Sequence, residues 1–487
     1  MKQSLTLLLA LSLSVVISFG QTDVENSTTQ RINNYLNELE KIGFNGAVLI
    51  ELNGEVNISK GYGFSNKEKQ IKSSPKTIYD IGSITKQFTA AAILKLEMQG
   101  KLSTGDKISE YFEDIPKDKE SITIHDLLRH QSGLISNVGK DYEKISEEAF
   151  LDSVFSSKLK FAAGTGFGYS NIGYSLLAMI IENVSVMSYE TYLYEYLWHP
   201  SQMEMTGYTR PDFDKNIIAV GYDREGNIWG KPTDKEWDIN GPFWHLKGNG
   251  GILSTTEDLY KWHKILLTDK ILSKEALVKL YHPKLRDGES EKAIYAYGWD
   301  VSKTKRNTRL VWHNGSNRIF YADFLRYIDE GIAMILFTNQ SHPSFNNICF
   351  ETSRIIFNSD FKPEISAVDN EANRNFTNRI IKIIEESGLD SAKSAFQVRP
   401  DSLQLLEFMM RNEGFNHIDN EKPEIAILIF EMNVYAYPNS AKALQGLGEG
   451  YMESGKKDLA LNYFNQSLAI NPDNKFLEDL KKKLEDQ

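Results

Sequence analysis

Strand-forming patterns cluster at Asn45–Gly63 and return only from Tyr295 to Asn339, with helical and loop-like sequence filling Ile108 to Leu280. That distribution restricts the fold sharply. An α/β layer of this kind is completed only if the N-terminal strands join the C-terminal ones across the helical middle. Asn45 to Leu52 and Glu55 to Gly63 flank Asn53-Gly54, a hairpin turn whose two residues tolerate positive φ. Tyr295–Val301, Arg309–His313, Ile319–Ile328 and Ile332–Asn339 read as the later strands, the last two joined through Asp329-Glu330-Gly331.

Two helices frame the first strands. Thr28 to Ile42 is amphipathic. Ile84 to Met98 carries apolar residues on most sides and stops at Gly100. A helix apolar all round is a buried one. Thr77 to Ile81 leads straight into it.

A chain of 487 residues exceeds one ordinary core, so two or three domains are expected. With 41% hydrophobic and 25% charged residues it has the composition of a soluble globular protein. A net charge of −11 argues against a nucleic-acid partner and gives no reason to expect an anionic membrane surface as one. Residues 1–20 form a separate object: Lys2, an apolar run from Leu5 to Ile17, and small residues at Ser18-Phe19-Gly20 predict a secretory signal peptide cut near Gly20–Gln21. Export to a periplasmic or extracellular location follows, with no stable membrane span once the signal is removed. The single cysteine, Cys349, reads as a buried small residue, so stability must come from core burial and not from disulfides.

Beyond about Asp360 the pattern changes to short helices. Ala426, Phe430 and Pro438 recur as Ala460, Phe464 and Pro472, each 34 residues later, and Leu447, Gly448, Tyr451 and Gly455 mark the second copy. This resembles a tetratricopeptide repeat, with a coarser echo at Gly388, Ala392 and Phe396. The expected division is therefore residues 1–20, 21–360 and 361–487. The alternative reading of the last part is a helical extension packed on the main domain.

Three separated segments carry the chemistry. In Ser83-Ile84-Thr85-Lys86 the hydroxyl and amine share one helix face, and a serine needs a base before it attacks. Lysine serves as that base only if burial lowers its pKa. Ser-x-x-Lys also occurs at Ser73, Ser157, Ser302 and Ser454, so the spacing alone decides nothing, and the competing reading is a capping serine with a solvated lysine. The Gly-rich stretch Phe161–Gly168 delivers Tyr169-Ser170-Asn171. Here a tyrosine held as phenolate, or sharing a proton with lysine, and an amide orienting Lys86 and a substrate carbonyl compete with an aromatic plug and a helix cap. In the strand Leu310–His313 running into Asn314-Gly315-Ser316, Gly315 permits close approach by an extended ligand. The Ser316 amide is expected to pair with that of Ser83 as an oxyanion hole, and a His313 that contacts a substrate carboxylate or assists proton transfer competes with a satisfied strand-end histidine.

Ser83-x-x-Lys86, Tyr169-x-Asn171 and His313-x-Gly315 together resemble the three boxes of the serine β-lactamase and penicillin-binding-protein superfamily, in the branch of class C β-lactamases, D,D-peptidases and esterases. The flanks Ile124–Leu134, Ile172-Gly173-Tyr174, Gly250–Thr255 and Tyr297-Gly298-Trp299 agree, and the similarity spans roughly residues 28–345. The resemblance implies an antiparallel sheet with flanking helices and a helical subdomain. It implies an acyl-enzyme on Ser83, proton shuttling by Lys86 and Tyr169, and substrate held by Asn171, His313, Gly315 and Ser316. No cofactor or metal is expected; His125 and His130 read as structural members of their loop. True β-lactamases of this branch carry lysine where His313 stands, which favours a peptidase or esterase on a small-molecule or peptide substrate. Arg318 is expected to replace the missing cation, and Ile319 to narrow the pocket. The competing reading is an inactive hydrolase fold that binds peptide, or a protein partner through its C-terminal helices.

Overall fold

The computed structural model describes residues 27–223, 226–238, 240–283, 293–341, 345–363, 365, 370–420 and 422–485; the expected signal peptide lies outside them. A seven-stranded antiparallel sheet is assembled as the strand distribution requires. Its strands are β1 (Gly46–Leu52), β2 (Glu55–Tyr62), β3 (Ala293–Tyr295), β4 (Asp300–Lys303), β5 (Arg309–Ser316), β6 (Tyr321–Tyr327) and β7 (Ile332–Thr338), in the order β2-β1-β7-β6-β5-β4-β3. The N-terminal hairpin closes on the last strand in the register Gly46↔Thr338 to Glu51↔Ala333. Asn53 and Gly54 turn the hairpin at φ of 54° and 84°, and Gly331 turns β6 into β7 at 63°.

One expected strand is in fact two. The run Tyr295–Val301 turns back at Gly298, where φ is 73° and a Cβ would fall 2.6 Å from the Lys86 carbonyl oxygen. Glycine lets the chain bend against the helix behind it, so β3 and β4 form a hairpin where alternation suggested one strand.

That helix, α1 (Thr85–Met98), is buried on all sides, as its composition predicts. Phe88 packs against Trp198 and Trp262 with ring centroids 5.7 and 5.0 Å apart. Thr89 meets both the Tyr189 hydroxyl and the Gly248 carbonyl at 2.6 Å. A second buried helix, α2 (Asn171–Ser185), packs nearby with its N-terminus capped by the Ser170 hydroxyl. Among the described residues no single helix is long and apolar enough to cross a membrane.

The chain divides into two units, the first running through Pro363 and the second built chiefly from Glu364–Gln487. The second unit is helical: α3 (Glu371–Gln397), α4 (Glu407–Asp419), α5 (Pro423–Ala436), α6 (Ala441–Glu453), α7 (Lys457–Ile470) and α8 (Lys475–Glu485). The repeat offset has a packing origin. Phe430 would meet a Cβ on Gly414 at 2.4 Å, and Phe464 one on Gly448 at 2.5 Å, so each phenyl ring lies against a paired helix where only glycine fits. Gly414 and Gly448 keep the same 34-residue spacing. The coarser echo is a break at Gly388, where φ of 80° divides α3 into two helical stretches.

Phe88→Ala should remove about 3–5 kcal/mol from the first unit. Urea unfolding followed by Trp198 and Trp262 fluorescence reads this directly; an unchanged midpoint would show that α1 is not seated on that aromatic cluster.

Candidate active site

Ser83 lies in a single 3-10 turn, Gly82–Ile84, that feeds α1, and its hydroxyl caps nothing. Lys86 is one helical turn on and wholly buried. The capping-serine reading fails on both counts. Lys86 Nζ meets three oxygens: Ser83 Oγ at 2.9 Å, Asn171 Oδ1 at 2.7 Å and the Asn249 carbonyl at 2.7 Å. The last two can only accept, so each takes an N–H. Asn171 has its orientation set because its Nδ2 donates to Asn137 Oδ1 at 2.7 Å. Asn249 is held by its side chain, which donates to Ser175 Oγ and the His245 carbonyl, both at 2.9 Å. A neutral amine has two N–H groups and one lone pair, and the lone pair then falls toward Ser83. Burial drives the Lys86 pKa well below its ordinary value, against the opposing pull of Asp141.

Ser170 takes the capping duty at α2, which leaves Asn171 at the first helical position free to turn toward Lys86. Tyr169, just before it, lies with its ring 4.9 Å from Lys86 Nζ and 4.2 Å from His130. Its hydroxyl hydrogen-bonds with Ser83, yet burial pushes its pKa above the usual tyrosine value. Of the two functional expectations, a phenolate is opposed by burial, which disfavours both that anion and the Lys86 ammonium that would stabilise it. His130 accepts from the Ser170 amide at 3.1 Å through Nδ1 and is held neutral by burial. His125 meets the Tyr297 hydroxyl at 2.6 Å. Both belong to the scaffold behind the site.

His313 follows the competing reading, a satisfied histidine at the strand's end. It is 2% exposed, its Nδ1 bonds the Asn314 carbonyl, and its Nε2 is 2.9 Å from the Tyr295 hydroxyl. Burial, and secondarily Lys86, pulls its pKa down to about 3. Burial thus disfavours an imidazolium that would grip a substrate carboxylate. Arg318, the other candidate cation, is exposed and interacts with the Asp141 carboxylate. Ile319 packs in the core against Gly221 and does not narrow the site.

Gly315 also has a different task from the expected one. A Cβ there would meet the Ile81 carbonyl oxygen at 2.0 Å and the Ser83 nitrogen at 2.8 Å. The missing side chain admits the protein's own Ser83 turn, not a ligand. Reciprocally, a Cβ on Gly82, at φ of 50°, would lie 2.7 Å from the Ser316 nitrogen. The two glycines bring the Ser83 and Ser316 amides to one contact. Asp80 braces the turn: it is buried, accepts from the Gly82 amide at 2.7 Å and from Asn317 Nδ2 at 2.8 Å, and burial raises its pKa to about 6.

Sequence reasoning missed Asn249, Asn137, Asp80 and Tyr295. Asn249 had a signal in the glycine-flanked run Lys247–Gly251, where Gly248 and Gly251 take φ of 82° and 80°. Asp80 and Tyr295 lie on runs that the sequence marks only as structural, and Asn137 on a loop without a pattern.

The family described as Beta-lactamase matches residues 34–351, and the one described as Tetratricopeptide repeat matches residues 441–474. Among curated proteins, Protein flp of Staphylococcus aureus is 32% identical over 330 residues, 64% of this chain and 64% of its own length. The Putative penicillin-binding protein PbpX of Bacillus subtilis is 32% identical over 254 residues, 52% of this chain and 62% of its own. The chain thus spans a little under two thirds of each of these relatives. Of solved structures, an octameric penicillin-binding protein homologue from Pyrococcus abyssi aligns with TM-score 0.57 and 27% identity over 73% of this chain and 81% of that one. FmtA from Staphylococcus aureus aligns at TM-score 0.57 over 70% and 92%, with 23% identity, which speaks to the fold alone.

Gly315→Ala should lower stability by about 1–3 kcal/mol, because the new methyl meets backbone atoms that cannot rotate away. Thermal unfolding measures it; a variant as stable as the wild type would mean that β5 and the Ser83 turn do not touch.

Proposed function

This chain belongs to the beta-lactamase family, and from that premise we propose that it is an acyl-serine hydrolase with Ser83 as nucleophile and Lys86 as its base. The observation that carries the reading is the three-oxygen environment of a buried lysine amine. Two obligate acceptors use both N–H groups of the neutral amine and leave its lone pair for the Ser83 proton. A vestigial site would have no reason to keep so desolvated a lysine in that state.

The reaction follows from the contacts. Ser83 Oγ attacks a carbonyl carbon while its proton passes to Lys86. The oxygen that gains charge lies between the Ser83 and Ser316 amides, at the N-terminal end of α1, where backbone donors and helix dipole both favour a negative charge. Tyr169, a phenol bonded to Ser83, gives its proton to the departing oxygen or nitrogen, and the Lys86 ammonium restores it. Water then cleaves the acyl-enzyme by the reverse proton route.

The substrate class follows from charge. His313 is held neutral by burial and internally paired, and Arg318 is exposed at the surface. Among the described residues around Ser83 the position of the third-segment cation is taken by a neutral His313, which favours esters or peptide amides of the kind cut by D,D-peptidases and esterases, with β-lactam hydrolysis weak. The apolar N-terminal stretch supports export to the periplasm or beyond, and the helical repeats support a protein partner for the second unit.

Exposure to a fluorophosphonate or a penicillin should leave an adduct on Ser83 that mass spectrometry locates; no adduct from either reagent would end this reading. Lys86→Ala and Lys86→Arg should both lose about 10²–10⁴-fold in kcat/KM, since neither supplies a titratable base. With neutral esters kcat/KM should rise with pH as Lys86 loses its proton, with a midpoint well below the usual lysine value because burial disfavours the ammonium. A profile flat through that region would remove Lys86 from the role.

A further inference from the structure

Tyr295 stands at the centre of the aromatic cluster behind Tyr169, and the proton route above leaves it without a task. It is 7% exposed on the sheet's end strand, β3. Its ring centroid is 4.4 Å from that of His130, 5.6 Å from His313 and 5.9 Å, edge-on, from Tyr169. Its hydroxyl lies 2.9 Å from His313 Nε2 and within reach of the Tyr169 and Tyr174 hydroxyls.

The direction of these bonds is forced. The Asn314 carbonyl can only accept, so His313 Nδ1 carries the imidazole proton and Nε2 is a lone pair. Tyr295 therefore donates to Nε2. The neighbouring Tyr174 hydroxyl is committed to the Leu128 carbonyl at 2.8 Å, so it has no proton to offer Tyr169. Tyr295 is then the hydroxyl with a proton that can be redirected. A lysine or imidazolium at position 313 would present no lone pair to hold it.

We propose that Tyr295 is a positioning residue for Tyr169: its O–H rests on His313 Nε2 and turns to the Tyr169 oxygen as that group gives up its proton to the leaving group. This rests on the acyl-serine reading. In the step concerned, the Ser83 Oγ–carbonyl bond forms and the bond to the leaving group breaks. The Ser83 proton goes to Lys86 and the Tyr169 proton to the leaving atom. Tyr295 donates a hydrogen bond to the phenolate without losing its own proton, and Lys86 then reprotonates Tyr169. His313 stays neutral throughout and serves as the resting acceptor. The residue that replaces a fixed cation in the third segment thus acts through a tyrosine hydroxyl.

The test is leaving-group dependence in the full-length protein. Tyr295→Phe keeps the ring and removes the hydroxyl. For a pair of acetate esters, one with an alkyl alcohol that needs protonation and one with a nitrophenol that does not, kcat/KM should fall on the order of 10-fold or more for the first. It should change little for the second. Ser83 labelling by a fluorophosphonate, whose fluoride leaves unprotonated, should keep its wild-type rate and so report an intact site. Equal losses on both esters, or no loss on either, would overturn the inference while leaving Ser83 and Lys86 in place. A wild-type protein that neither labels nor turns over esters would overturn the acyl-serine reading and this inference with it.

Discussion

A lysine amine removed from water and given two acceptors that it must satisfy is the constraint on which the rest of the site depends. Burial penalises the ammonium, and the Asn171 and Asn249 oxygens determine where the remaining lone pair of the neutral amine points. Neither acceptor is near Lys86 in sequence; Asn249 is 163 residues away. The surrounding helix pair, the glycine-flanked loop at Asn249 and the Ser170 cap can each be understood as holding one of these oxygens in place. Desolvation is costly unless every polar atom of the group is engaged, and here it is.

The second constraint is backbone on backbone. β5 touches the Ser83 turn through Gly315 and Gly82, two residues without side chains. That contact ties the sheet to the start of α1, which otherwise belong to different layers. Its electrostatic counterpart is a site with little fixed positive charge. His313 is neutral because it is buried beside Lys86, and its ring nitrogens are spent on Asn314 and Tyr295. Polarity is delivered by oriented hydroxyls and amides in place of ions.

Legibility differed by element for physical reasons. The Asn53-Gly54 and Gly331 turns, the buried character of α1 and the closing of β1 on β7 were readable because each leaves a local mark in residue type or period. The strand expected over Tyr295–Val301 was misread because alternation continues across Gly298, and only the proximity of α1 explains the turn. The repeat was visible through Phe430 and Phe464, but its reason, a glycine on the facing helix at 414 and 448, needed the packing. In the site, Ser83, Lys86, Tyr169 and Asn171, singled out from the sequence, stand together, whereas Asn137 and Tyr295 carry no mark that separates them from loop and strand residues.

The sequence by itself determined which side chains are available and in what order: a Ser-x-x-Lys pair on one helix face, strands at both ends of a helical middle, and a 34-residue helical period. These are properties of residue type and short-range spacing. Only the tertiary structure decided how burial shifts Lys86, Tyr169 and His313 and what Gly315 makes room for. Each depends on how much water and which backbone atoms surround the group, and those neighbours arrive from distant parts of the chain.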